Sequence, residues 1–310
     1  MANRILIVDT EATGLEKEAQ ATEIGWVECA FNTSNGELTP LNNAYAMLCK
    51  PELEIGYGAM AITHIYPEDI QDKQPHTEVI PMVINNTVGY MIGHNIDFDD
   101  NIIRNAGVDT SHIKRIDTLA MVRTMFPTAD NHQLTTILHM VDYQYAREHS
   151  RKAHSAKHDV IFTYRLLNII CKQCNIKDIE SLYEFSEKCR IHKYMPFGEY
   201  KGQPLDEVDG SYKEYLLNKQ LEKTEDEQDA YLIKALQQSI ANDLENNTNL
   251  PDIMPITKHK GEKLCDMVQK PDTRSTLQWI VSDKFSGSTL LKRACSITLQ
   301  DYFSKENKGK

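Results

Sequence analysis

The chain of 310 residues is 41% hydrophobic and 25% charged, enough to bury one good core and leave room for something smaller beside it. Its N-terminus, MANRILIVDTEATG, has no basic stretch followed by a long apolar run, and no segment approaches the ~18 apolar residues of a membrane span, so a soluble, cytoplasmic protein is expected. A net charge of −11 argues against coating nucleic acid through a broad basic surface, and seven cysteines, an odd number, argue against a disulfide framework.

In chain order, Arg4 to Thr10 (RILIVDT), Thr22 to Phe31 (TEIGWVECAF) and Ala44 to Cys49 (AYAMLC) read as an opening three-stranded meander. A helix before Asn85, a strand near Val88 to Gly93, a helix from Phe98 and a strand around Ile113 to Asp117 follow. Helices over Gln133 to Val141 and from Ala156 to Gln173 complete the pattern. Such alternation implies an α/β unit, a mixed sheet with helices packed on it, spanning residues 1–174.

Beyond it lies a repeat. Met195 begins MPFGEYKGQPL and Met254 begins MPITKHKGEKL, 59 positions later, with Met, Pro, Lys, Gly and Leu in register. Two small related modules are expected, at 190–245 and 250–295, joined by a helix over the acidic stretch from Glu222 and a flexible linker at Asn246 to Asn249. The segment 296–310 reads as a tail in which Leu299, Tyr302 and Phe303 would share one face of a single helical turn.

Three motifs carry chemistry. In Asp9-Thr10-Glu11 two carboxylates stand two residues apart at a strand end, so both point to one side, where their repulsion calls for a divalent cation. In His94-Asn95-Ile96-Asp97-Phe98-Asp99, Asp99 lies where a strand hands over to a helix. In His154-Ser155-Ala156-Lys157-His158-Asp159, a helix capped by Ser155 would carry Asp159 just over one turn in, leaving His154 on the preceding loop.

Together, D-x-E, H-N-x-x-F-D and H-x-A-x-x-D resemble the DEDDh, or proofreading-type, 3′-5′ exonuclease superfamily over about the first 174 residues. Within it, Ala59 to Pro75 (AMAITHIYPEDIQDKQP) and FGEYKGQPLDEV are similar to segments of the exodeoxyribonuclease X group. The resemblance implies an RNase H-like fold with a five-stranded mixed sheet, and metal-dependent hydrolysis at DNA 3′ ends in repair or replication. It further implies two Mg2+ or Mn2+ ions held by Asp9, Glu11, Asp99 and Asp159, with His154 as general base. Thr13, Gly14, Leu15, His94, Asn95 and Phe98 match positions that touch the terminal nucleotide in the family. The tail resembles the motif by which replication proteins bind trimeric sliding clamps, with Ser296 where Gln is usual.

Plainer readings stand beside these. Asp97, Asp117 and His158 are expected to be structural or solvated, and Leu15 and Phe98 would serve equally as core. Cys171, Cys174, Cys189 and His192 have zinc-like spacing, set against the frequency of buried cysteine in apolar helices. Two other functions stand beside this one: an exoribonuclease trimming RNA, which the motifs do not distinguish and only the exonuclease X-like module disfavours, and a clamp-tethered adaptor without turnover, against which the intact acid set and His154 argue.

Overall fold

A computed structural model of the chain describes residues 4–32, 35–153, 155–224 and 228–308. It divides into two compact units, Met1–Arg190 and Ile191–Lys310.

The first unit is built on a mixed sheet of six strands: β1 (Arg4–Ala12), β2 (Ala21–Phe31), β3 (Leu38–Pro40), β4 (Tyr45–Leu48), β5 (Val88–Gly93) and β6 (Lys114–Asp117). The order is β3-β2-β1-β5-β6, with β1 antiparallel to β2 and parallel to β5. Five strand positions were expected, and the sheet has five. The sixth strand arises because β2, at 11 residues, outruns either outer partner: β4 pairs with Glu23 to Trp26 and β3 with Cys29 to Phe31.

Strand β1 is apolar on both faces, as a central strand must be. Ile5 and Ile7 enter one core and Leu6 and Val8 another. Among the described residues, nine helices of this unit, α1 (Tyr57–Thr63), α2 (Pro67–Ile70), α3 (His76–Val83), α4 (Ile96–Asn105), α5 (Thr118–Met125), α6 (Leu134–Val141), α7 (Tyr143–His149), α8 (Ala156–Cys174) and α9 (Ile179–Arg190), surround the sheet. The Ile5/Ile7 face is covered by α8 through Val160, Phe162, Leu166, Leu167 and Ile170. The Leu6/Val8 face packs against Val79, Ile80 and Val83 of α3 and Ile102 and Ile103 of α4. The unit runs past residue 174, because α9 buries Leu182 and Cys189 in the α8 core and Ser186 Oγ accepts from Asp117 N at 2.8 Å.

The second unit holds α10 (Gly210–Leu221), α11 (Ala230–Asn246), α12 (Leu264–Met267), α13 (Pro271–Val281) and α14 (Thr289–Lys308). Its two modules repeat in backbone detail. Met195 N donates to Gln203 O and Met254 N to Glu262 O, both at 2.8 Å; Gly202 N donates to Met195 O at 2.8 Å and Gly261 N to Met254 O at 2.9 Å. Both turns need left-handed residues at the same places, Gly198 (φ 75°) and Gly202 (81°) in the first, Thr257 (69°) and Gly261 (92°) in the second. The helices α11 and α14 start 59 positions apart, the spacing of the turns.

This repeat corrects three expectations. The boundary at 296 falls inside α14, which is one helix and not a tail. Leu299 lies in the second module's core with Leu264, Leu277 and Ile280, Tyr302 packs beneath the guanidinium of Arg274 at 4.1 Å, and Phe303 is partly exposed. The three do not form one free apolar knob for a clamp. The stretch Asn246 to Asn249 is not a loose linker either: Asn247 is the left-handed cap of α11, and Asn249 Nδ2 donates to Asp243 Oδ1 at 2.8 Å.

Candidate active site

The β1 strand places Asp9 and Glu11 on the face that α8 covers, since both share the parity of Ile5 and Ile7. In the β1–β2 register Asp9 lies opposite Gly25 and Glu11 opposite Glu23, and a bulge follows at Glu11/Ala12. Gly25 is required here: a Cβ would lie 2.4 Å from the carbonyl carbon and oxygen of Ala156, the first residue of α8. The missing side chain lets the start of α8 sit directly on the strand, one turn from Asp159.

Glu23 completes this seat. Its Oε2 accepts from Ala156 N at 2.9 Å, satisfying one of the donors that a helix start leaves open. Ser155 was expected to cap α8, yet its side chain makes no capping bond; the cap comes from β2 instead. Nothing in the sequence links positions 23 and 156 except the pairing of two strands. His154 lies outside the described residues.

Asp99 comes from the opposite side of the sheet, in the first turn of α4. Its Oδ1 accepts from Thr10 N at 2.8 Å and from Thr10 Oγ1 at 2.7 Å, so the residue between Asp9 and Glu11 clamps the fourth acid to the strand end. Ligand oxygens of Asp9, Glu11 and Asp159 lie within 4.8 Å of one another; among the described residues this is the only His, Cys, Asp and Glu group so arranged.

The neighbouring motif residues divide. Asn95 adopts φ 79° and donates its N–H to Asp117 Oδ1 at 2.9 Å, while the same oxygen accepts from Leu119 N to cap α5. His94 is tied at both nitrogens: Nε2 donates to His132 O at 2.8 Å and Nδ1 lies 2.9 Å from Thr118 Oγ1. Burial lowers its pKa, favouring the neutral ring. Asp97 pairs with Arg190 at 2.6 Å and Arg115 at 3.2 Å. Phe98 packs against the α3/α4 core. Thr13 is buried, its Oγ1 accepting from Gln20 N at 3.1 Å, which closes a loop carrying Gly14 and an 88% exposed Leu15.

Electrostatics single out the acids. Burial, then the charges of Asp99, Asp159, Glu11 and Glu23, hold the Asp9 carboxyl well above its ordinary range. Burial, then Asp159, Glu23 and Asp99, raise Glu11 to about 7. Burial likewise raises Asp99 to about 7, against the Thr10 hydrogen bonds that pull it down. A crowd of half-buried carboxylates repelling one another, with oxygen donors alone, fits hard divalent cations.

Among the described residues, Cys171, Cys174 and Cys189 are not part of any metal-ligand group. Cys171 and Cys189 are buried in the α8 core, where burial pushes the Cys171 thiol up to about 12. His192 belongs to the other unit and lies 3.5 Å from Asp229.

The 3′-5′ exonuclease DinG of Staphylococcus aureus (strain USA300) is 24% identical over 229 residues, 70% of this chain; the match spans only 24% of DinG. The zinc-ion-bound form of the E. coli ExoI–ssDNA complex matches with a TM-score of 0.53 at 14% identity, over 79% of this chain and 70% of that one, a likeness of fold. Exonuclease X in complex with 5′ overhanging duplex DNA gives 0.45 at 22% identity, over 59% of this chain and 99% of that one. The family model RNase_T, described as exonuclease, matches residues 6–167, just over half of the chain. The chain belongs to this exonuclease family.

Proposed function

We propose that the chain hydrolyses phosphodiester bonds from the 3′ ends of DNA, with Asp9, Glu11, Asp99 and Asp159 holding two divalent cations. The observation that carries this reading is the convergence of Asp9, Glu11 and Asp159 within 4.8 Å, beside an Asp99 locked by Thr10. Divalent cations bound there would supply Lewis acidity and charge neutralisation at a phosphate.

The chain's own residues do the rest. Thr10 holds Asp99 in one orientation, so little rearrangement accompanies substrate binding. Glu23 and Gly25 set the start of α8, and with it the height of Asp159 above β1. His154, on the residues just before α8, takes the proton of the attacking water, a role that suits an unperturbed pKa of about 6.5. Leu15, exposed in the loop between Thr13 and Gln20, would press on the terminal base.

Polarity rests on the motif resemblance together with the relative DinG, a 3′-5′ exonuclease; the DNA preference rests on the similarity of the FGEYKGQPLDEV module to the exodeoxyribonuclease X group. A role in repair or replication follows from that substrate. Time courses on 5′-labelled single-stranded DNA, duplex DNA and RNA, with Mg2+ or Mn2+ and with EDTA, test the reading. A ladder shortening from the 3′ end of DNA, absent in EDTA, is expected. Faster shortening of RNA would replace the substrate, and no shortening with any cation would defeat the proposal.

A further inference from the structure

The two turns of the C-terminal unit share one hydrogen-bonded backbone and differ in charge. Where the first has Glu199 and Pro204, the second has Lys258 and Lys263; Lys201 and Lys260 match. Lys258, Lys260, Lys263 and nearby Lys270 are exposed, and none is in an ion pair among the described residues. The one acid of the second turn, Glu262, accepts from His259 Nδ1 at 2.7 Å.

The divergence extends over the whole module. Residues 250–310 carry eleven Lys and Arg against seven Asp and Glu, whereas 191–249 carry six against twelve. In a chain of net charge −11, the second module carries a basic surplus where the first carries an acidic one. A tight turn fixed by backbone hydrogen bonds presents its lysines with little ordering cost beyond their own stems. Ammonium groups suit phosphate as point charges, and the sequence from Met254 to Lys263 has no Arg, Asn or Gln to read base edges.

We infer that the turn of the second module, through Lys258, Lys260 and Lys263, is a sequence-independent contact for the phosphate backbone of a nucleic-acid strand, separate from the acid site. The choice of nucleic acid among polyanions rests on the exonuclease reading above. The first module, with the same backbone and an acidic surface, does not make this contact.

The test is fluorescence anisotropy of a labelled oligo-dT 20-mer with the full chain carrying Asp9→Asn, in Mg2+. Reversing Lys258, Lys260 and Lys263 to Glu is expected to weaken binding at least ~10-fold near 0.1 M salt. It should also flatten the slope of log affinity against log salt by about 2, at ~0.7 per phosphate contact on single strands. The same reversals at Lys201, Lys219 and Lys223 of the first module should change affinity less than ~2-fold. Equal loss in both triple variants, or none in the first, overturns the inference, as does displacement of the oligonucleotide by polyglutamate at matched charge. Cleavage by the unaltered chain is scored alongside: its absence counts against the nuclease, not against the turn.

Discussion

In the first C-terminal module Lys213, fully buried, donates to Leu205 O at 3.1 Å, to Ser239 Oγ at 3.0 Å and to the carboxylate of buried Asp243, whose other oxygen accepts from Thr248 and Asn249. At the end of β1 the described charges acting on Asp9 are Asp99, Asp159, Glu11 and Glu23, all acids. The first arrangement supplies its own counter-charge, so it serves the fold. The second leaves like charges opposed and raises their pKa values, a cost that a fold tolerates where an external cation completes the site.

That contrast can be broken at either end. Asp9→Asn should lower hydrolysis by roughly 10^3-fold or more if, as proposed, its carboxylate holds a cation at the reacting phosphate. In EDTA the same variant should melt a few degrees higher than the parent, because one repelling charge is gone. A variant that is both inactive and less stable without cation would mean that Asp9 is a structural acid.

Lys213→Met should destabilise the chain by about 3–5 kcal/mol by stranding Asp243, while Lys213→Met with Asp243→Leu should recover most of that loss. Chemical denaturation of the two variants measures it. Nuclease activity below the melting transition should be unaffected, which separates the self-sufficient pair from the site.

Glu23→Ala removes the cap on α8 and lets Asp159 drift; a fall in kcat of about 10-fold is expected, with KM little changed, as for a misplacement well under 1 Å. Glu23→Gln keeps an acceptor oxygen for Ala156 N and should restore most of the rate. Equal damage from both would show that the charge of Glu23, not its hydrogen bond, is what counts.

The smallest effect is in pH. Glu11 and Asp99, raised to about 7, hold protons in the folded state that the unfolded chain releases near pH 4. Folding therefore takes up protons between about pH 4 and pH 7, and cation-free stability from these groups falls as pH rises through that window and levels off above it. Thermal melts in EDTA should show a decline from pH 5 to pH 8 that Mn2+ reduces and Asp9→Asn blunts. A decline indifferent to both would place its origin elsewhere.

Much of the fold was legible because β1, β2 and β5 are long apolar runs and α8 a long periodic one. Strand β3, three residues on the free end of β2, has no pattern of its own. The acids at 9, 11, 99 and 159 stood out by motif, whereas Thr10 and Glu23 did not. Their roles depend on partners 89 and 133 positions away, which only strand register and a glycine contact bring near. The repeat was visible in its turns but not in its helices. Only the turns demand particular residues at left-handed positions; α11 and α14 fill matching inward positions with different residues, Ile240 against Leu299 and buried Asp243 against partly buried Tyr302. The end of α14 was therefore read as a tail.

The central claim is tested most directly by titrating Mn2+ into the chain and into Asp9→Asn, following bound metal by electron paramagnetic resonance at pH 8. Two ions bound per chain, with binding weakened in the variant and cleavage rising with occupancy, is the predicted result. Identical Mn2+ binding in the two proteins would contradict it.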